Sequence, residues 1–138
     1  MALDLRGCAP LLEVFDMPTA IRFYRDVLGF EVVSTSNSDR GDDVGWAWLR
    51  LNDVDIMLNA AYDEGERPAE RDPDRVYGLG VSLYCGCPDV AAAYEHLCAR
   101  GVDARPPRVA PYGMKQLYFR DPDGYVLCFQ WAVNESKV

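Results

Sequence analysis

Histidine is scarce in this sequence, and the cysteines lack the spacing of a zinc site. The chain contains a single histidine, His96, and its five cysteines are an odd number with no Cys-x-x-Cys spacing. Cys85 and Cys87 are separated by one glycine, but no second pair completes a tetrahedral site. We therefore expect most of the cysteines to be buried, reduced thiols.

Long apolar runs and an excess of basic charge are also lacking. No apolar run approaches the roughly 20 residues of a membrane-spanning helix, and residues 1–7 lack the basic-then-apolar order of a secretory signal. The formal net charge is −8, from 22 acidic and 14 basic side chains, which repels nucleic acids and anionic membranes. We expect a cytoplasmic protein that binds neither and that favours a neutral or cationic ligand.

The remaining composition is that of a folded protein with an internal repeat. Asp16 precedes apolar residues at helical spacing that end at Gly29, and Asp89 precedes a similar pattern that ends at Gly101. When the two aspartates are aligned, equivalent residues lie 73 positions apart, and the order of one strand, one helix and three strands occurs twice. The first strands are expected at 8–14 and 79–84.

The proposed domain organisation follows from this repeat. Hydrophobic residues make up 49% of the 138 residues, which is enough for a shared core. A segment rich in Asp, Glu, Arg and Pro separates the two halves. We predict a single domain spanning 1–138, made of two modules at about 6–60 and 78–133 that are joined by a charged connection at 61–77.

Two local patterns define strand faces and a turn. In the strand pattern at 44–51, small aliphatic residues alternate with Trp46, Trp48 and Arg50, so the two sets occupy opposite faces. Near the C-terminus, Asp-Pro-Asp-Gly at 121–124 separates two further strand patterns, and its residue types favour a tight reversal. The sequence therefore predicts a closing hairpin after residue 112.

Two segments resemble the vicinal oxygen chelate superfamily, which groups glyoxalase I, extradiol dioxygenases, fosfomycin-resistance transferases and bleomycin-resistance proteins. They are Asp16-Met-Pro-Thr-Ala-Ile-Arg-Phe-Tyr-Arg-Asp-Val-Leu-Gly-Phe30 and Arg120-Asp-Pro-Asp-Gly124, and the similarity spans nearly the whole chain. The resemblance implies an α+β fold of two tandem βαβββ modules, whose curled mixed sheets form a cup for the ligand. It also implies a homodimer, and in some members the cup is built from two chains.

In the metal-dependent members, His, Gln or Glu side chains on the first and last strands of the modules hold the ion. The matching positions in this sequence are Ala9, Ser82 and Cys128, with Met57 or Asn59 on the fourth strand. These side chains do not form a hard oxygen and nitrogen site for Fe, Mn, Ni or Zn. His96 is expected on the solvent side of its helix. The comparison therefore predicts no metal and no cofactor.

If Ala9 and Ser82 face the cup, the two-residue period of a strand assigns the other residues that face it. The opposite parity, including Val81, Leu83 and Cys85, is then expected to pack on the helices. The candidates for ligand contact are Leu11, Glu13, Trp46, Trp48, Arg50, Tyr84, Tyr112, Met114, Tyr118 and Cys128. Such an aromatic, mostly neutral lining suits flat or extended organic molecules.

The favoured hypothesis is a protein similar to the bleomycin-resistance proteins, a homodimer that sequesters an aromatic or cationic natural product without altering it. Such drug sequestration would confer antibiotic resistance and needs no catalytic residue. The alternative is an enzyme of the superfamily with an unusual metal set, or with metal-free lyase or isomerase chemistry in which Cys128, Tyr118 or Glu13 takes part. A third hypothesis is a structural module whose cup is filled by its own side chains.

Overall fold

A computed structural model describes residues 2–133. It contains two compact units, which we call module 1 (up to Asp72) and module 2 (from Pro73). Module 1 comprises β1 (Leu11–Val14), α1 (Met17–Arg22), β2 (Glu31–Thr35), β3 (Trp46–Leu51) and β4 (Val54–Ala60). Module 2 comprises β5 (Ser82–Gly86), α2 (Val90–Ala99), β6 (Arg108–Val109), β7 (Met114–Arg120) and β8 (Val126–Ala132).

The strand order of the two modules is the same. Module 1 has the order β1-β4-β3-β2 and module 2 the order β5-β8-β7-β6, each a four-stranded sheet. In both, the first strand pairs in parallel with the last, and the other neighbours are antiparallel. The predicted α+β fold of two βαβββ modules is confirmed, with two mixed sheets that do not close into barrels.

Both helices begin at the predicted aspartates. The Asp16 side chain accepts a hydrogen bond from the Thr19 amide at 3.3 Å, and Asp89 accepts one from the Ala92 amide at 3.0 Å. Thr19 and Ala92 are themselves 73 positions apart, so the caps repeat with the fold. The first helix departs from its prediction after Arg22, because it continues as a π-helical turn over Phe23–Val27.

One face of each sheet packs on its helix and forms the core. In module 1, alternate residues of β1, β3 and β4 are buried together with the inner face of α1. The members from the sheet are Leu12, Val14, Ala47, Leu49, Ile56 and Leu58. In module 2, Leu117, Phe119 and Leu127 are buried with Val90 and Leu97 of α2. The predicted division of β3 and β7 into two faces is therefore confirmed.

Three predictions about boundaries and cysteines are wrong. The first strand begins at residue 11 rather than 8, and β5 begins at residue 82 rather than 79. Gly78 and Gly80 have φ of +73° and +75°, a conformation that a strand cannot accommodate, so Val81 lies before β5 and is 41% exposed. Among the five cysteines only Cys128 is buried, whereas the other four are half-buried or exposed.

The closing hairpin forms at the predicted turn. The Asp121 carboxylate accepts hydrogen bonds from the amides of Asp123 and Tyr125, both at 2.9 Å, and Gly124 takes a φ of +93°. The equivalent hairpin of module 1 is shorter, with Asn52 at a φ of +52°. No helix within residues 2–133 is long and apolar enough to cross a membrane.

Candidate functional site

Each sheet has a second face, opposite the helix, which carries the predicted ligand-contact residues. Site face 1 consists of Leu11, Glu13, Trp46, Trp48, Arg50, Asp55, Met57 and Asn59. Site face 2 consists of Ser82, Tyr84, Met114, Gln116, Tyr118, Val126, Cys128 and Gln130. Nine of the ten predicted residues lie on one of these faces, and Tyr112 lies in the turn before β7.

The positive charge of Arg50 on site face 1 is neutralised within the module. Arg50 and Asp55 are directly opposite each other on β3 and β4, and the Arg50 Nε donates to the Asp55 Oδ1 at 2.7 Å. The Arg50 guanidinium also lies 5.0 Å from the ring centroid of Trp48. The arginine is therefore already occupied by a carboxylate and an aromatic ring of its own sheet.

Trp48 and Met57 form the centre of site face 1. Met57 is paired with Trp48 on one side and with Leu11 on the other, so these side chains form one cross-strand row. The Trp48 Nε1 is buried and has no hydrogen-bond partner among residues 2–133. This indole therefore contributes apolar surface and no hydrogen bond within the module.

Site face 2 carries a row of two tyrosines with a cysteine between them. Cys128 on β8 is paired with Tyr84 of β5 and with Tyr118 of β7. The two tyrosine rings meet edge to face at 6.2 Å, with 3.1 Å between their hydroxyl oxygens. The Cys128 side chain is fully buried in this row.

An amide network adjoins the tyrosine row. The Gln116 Nε2 donates to the Tyr112 hydroxyl at 2.8 Å and to the Gln130 Oε1 at 2.9 Å. The Gln116 Oε1 accepts from the Tyr118 hydroxyl at 3.3 Å. Sequence reasoning did not include Gln116 among the binding residues, and its partners depend on the register between β7 and β8.

Tyr118 and Cys128 of site face 2 are held in their neutral forms. The hydrogen bond with Tyr84 is the main cause that raises the pKa of the Tyr118 hydroxyl, and burial is the second. Burial raises the pKa of the Cys128 thiol. A protonated thiol beside a protonated phenol is a poor nucleophile, so this arrangement suits binding better than covalent chemistry.

The register of the two sheets identifies the position on the fourth strand that is equivalent to Cys128. Met57 is paired with Leu11 as Cys128 is paired with Tyr84, which makes Met57 the fourth-strand equivalent of Cys128. A thioether and a buried thiol do not suit a hard divalent ion. Within residues 2–133, no group of three or more His, Cys, Asp or Glu side chains is arranged to hold a metal ion. His96 lies exposed on α2, as predicted.

A cavity lies in each module. The cavity of module 2 has a volume of about 310 Å³ and lies beside β6 and β7. It is lined by Arg105, Arg108, Tyr112, Gln116 and Tyr118, together with neighbouring apolar residues. The cavity of module 1, about 390 Å³, lies between the loops at 36–45 and 60–67 and does not involve site face 1.

Sequence reasoning missed the role of the two arginines. The sequence at 105–109, Arg-Pro-Pro-Arg-Val, contains no pattern that indicates a cavity. The pairing of Arg108 with Gln116 across β6 and β7 is what brings the arginine to the cavity.

Comparisons with known proteins agree with this architecture. The protein SMU.1112c is 26% identical, with a TM-score of 0.71 over 93% of this chain and 100% of that one. TioX from Micromonospora sp. ML1 is 19% identical, with a TM-score of 0.69 over 91% and 99%. A bleomycin-binding protein in complex with bleomycin is 22% identical, with a TM-score of 0.67 over 95% and 100%.

The last two likenesses show the fold alone, and comparison with curated proteins finds no significant match. The sequence model of one family matches residues 10–129, a segment that runs from the start of β1 to β8. The chain therefore belongs to the Glyoxalase/Bleomycin resistance protein/Dioxygenase superfamily.

Proposed function

We propose that the protein binds and sequesters a small aromatic natural product, without chemical change and without a metal ion. The observation that carries this proposal is the composition of site face 2. Where metal-dependent relatives keep a hard ligand, this chain has a fully buried, protonated thiol between two tyrosines. Aromatic rings flanked by amides suit a planar guest, which is bound by stacking and by a few oriented hydrogen bonds.

Two further observations support the binding of an aromatic guest. Tyr84 is 53% exposed, so its ring is accessible in this module. The structure of the bleomycin-binding protein with the same fold is that of its complex with bleomycin. Sequestration of such a compound would make the protein an antibiotic-resistance factor, which expression in a drug-sensitive bacterial host would test.

Fluorescence titration and calorimetry with planar antibiotics test the proposal directly. Bleomycin-type and anthraquinone compounds are expected to quench tryptophan fluorescence in a saturable way. Tyr84→Ala removes an exposed ring of the site and should weaken binding by about tenfold, the loss of about 1.4 kcal/mol. Tyr94→Ala, which removes a half-buried ring of α2, is the matched control and should leave the affinity unchanged.

Metal analysis separates sequestration from the enzymatic alternative. Protein purified without chelators should contain divalent ions well below one per chain. A stoichiometric divalent ion, lost together with binding on dialysis against a chelator, would contradict the proposal. The proposal would also be contradicted if none of the planar antibiotics bound to the protein.

We also propose that the binding unit is a homodimer acting in the cytoplasm. Exposed apolar side chains support an association surface on module 2, among them Trp131, which is 48% exposed. Light scattering on the purified protein should give twice the mass of the 15.5 kDa chain. A monomeric mass at micromolar concentration would contradict the dimer and leave ligand binding untouched.

A further inference from the structure

We propose that the cavity of module 2 selects a planar ligand with a negatively charged hydrogen-bond acceptor, such as an aromatic carboxylate or phenolate. This inference rests on the proposed binding function and specifies its ligand class. It departs from the expectation drawn from the net charge, which favoured a neutral or cationic ligand.

The charges that line the cavity are positive. Arg105 and Arg108 both line it, and none of the described residues that line it is acidic. Within residues 2–133, neither guanidinium lies within ion-pair distance of a carboxylate. Since salt screens charges over about 8–10 Å, the two guanidinium groups that line the cavity act on a bound ligand more strongly than charges beyond that range do.

The hydrogen-bond network leaves a donor at the cavity. Both protons of the Gln116 amide are used, one by the Tyr112 oxygen and the other by Gln130. Because the Tyr112 oxygen accepts a hydrogen bond from Gln116, its own hydroxyl proton remains available to a ligand. Tyr112 is 69% exposed, so that proton is accessible.

The direction of the neighbouring hydrogen bonds is also determined. The Gln116 Oε1 can only accept, so Tyr118 donates to it, and Tyr84 in turn donates to the Tyr118 oxygen. The side-chain protons of the cavity lining that remain for a ligand are therefore those of the Tyr112 hydroxyl and the two guanidinium groups. A ligand that pairs with them must supply acceptors.

The backbone supports this arrangement. Arg108 is paired with Gln116 across β6 and β7, so the two side chains lie on the same face. The Arg105 amide donates to the Tyr118 carbonyl at 3.2 Å, which ties the segment before β6 to β7. The cavity of about 310 Å³ suits one planar ring system with a polar substituent.

Calorimetry with two probes of similar size and opposite charge tests the inference. We expect 2-naphthoate to bind at least about tenfold more tightly than 2-naphthylmethylammonium, because a charge-assisted hydrogen bond distinguishes them. Arg108→Met should lower the affinity for 2-naphthoate by about tenfold and leave that for the ammonium probe unchanged. Arg100→Met, at the exposed end of α2, is the matched control and should change neither. The affinity for 2-naphthoate should also fall as sodium chloride is added.

The outcomes separate this inference from the proposed function. Equal or tighter binding of the ammonium probe, or an unchanged 2-naphthoate affinity in Arg108→Met, overturns the ligand class while aromatic binding stands. The same holds if 2-naphthoate does not bind but a planar antibiotic does. If no probe and no planar antibiotic binds, the proposed function itself fails.

Discussion

The two site faces share one backbone plan and differ in how they satisfy their polar groups. On site face 1 the guanidinium of Arg50 is already paired with Asp55 and stacked on Trp48, whose own N–H has no partner within residues 2–133. On site face 2 the amide of Gln116 connects two hydroxyls and a second amide. The guanidinium groups of Arg105 and Arg108 in module 2 line a cavity.

This difference shows what a duplicated module can vary without changing its fold. The register that pairs Leu11 with Met57 also pairs Tyr84 with Cys128, so the backbone keeps the same positions. Different side chains at those positions give module 1 an apolar row and module 2 a tyrosine row that adjoins a polar network. Because a polar network is costly when it is only partly satisfied, the two faces should respond unequally to equivalent changes.

The largest difference is expected from removal of the central amide of site face 2. Gln116→Leu leaves Tyr112, Tyr118 and Gln130 without their shared partner, and should lower the free energy of unfolding by about 2–3 kcal/mol. Urea denaturation followed by circular dichroism measures this loss. The same variant should also bind planar antibiotics less tightly.

The comparison variant in module 1 is Asn59→Leu. Asn59 is paired with Glu13 as Gln130 is paired with Gly86. Asn59 is therefore the equivalent in module 1 of Gln130, the amide that accepts a hydrogen bond from Gln116. Asn59 is only half-buried, and its replacement should cost less than half as much as that of Gln116. Equal losses in the two variants would show that the network gives module 2 no special stability.

The next largest difference is expected between the two hairpins. Asp121→Ala leaves the amides of Asp123 and Tyr125 without their acceptor, and should cost about 1–3 kcal/mol in urea denaturation. In module 1, Asn52→Gly should change stability by no more than about 0.5 kcal/mol, because glycine adopts positive φ without strain. A large loss from Asn52→Gly would mean that its side chain stabilises the turn as Asp121 does.

Much of the fold could be predicted because its signals are local. A cap residue contacts an amide three positions away, so Asp16 and Asp89 were identifiable by their spacing alone. Strand faces follow from a period of two, which assigned Trp48 and Tyr118 to faces opposite the helices. The repeat of 73 positions then connected these local signals into one topology.

The rest of the site depends on contacts between distant segments. Whether Gln116 meets Gln130 is set by the register between two strands, and no local pattern specifies it. The cavity beside Arg108 similarly depends on a two-residue strand that sequence patterns do not distinguish from a loop. The strand boundary at Ser82 was misplaced because the positive φ of two glycines is visible only in the folded chain.

A smaller difference is expected in the response to alkaline pH. Burial raises the pKa of the Cys128 thiol above its ordinary value of 9.0, whereas its equivalent in module 1, Met57, does not ionise. The thiol therefore contributes stability that is complete below the ordinary pKa of the thiol and is lost as the pH rises through the folded pKa. Between about pH 8 and 9.5, the free energy of unfolding of the native protein should fall more steeply with pH than that of Cys128→Ala.

The quantity compared is the slope of the free energy of unfolding against pH. A loss of stability that is the same at every pH, such as that from the cavity left by alanine, does not affect this slope. Cys98→Ala is a suitable control, because Cys98 lies exposed on α2 and its removal should leave the slope unchanged. Parallel pH profiles for the native protein and Cys128→Ala would show that the buried thiol does not govern alkaline stability.

The smallest effect is expected from the arginine of site face 1. The Arg50 side chain is 46% exposed and its pair with Asp55 is accessible to solvent, so Arg50→Met should change the free energy of unfolding by less than about 1 kcal/mol. Because Asp55 already neutralises the guanidinium, the affinity for 2-naphthoate should stay within about twofold of the native value, unlike the tenfold loss in Arg108→Met. Arg50→Lys, which keeps the positive charge, should bind 2-naphthoate as the native protein does. A tenfold loss in Arg50→Met with full binding in Arg50→Lys would show that the charge of module 1 also selects the ligand, and the contrast between the two site faces would no longer hold.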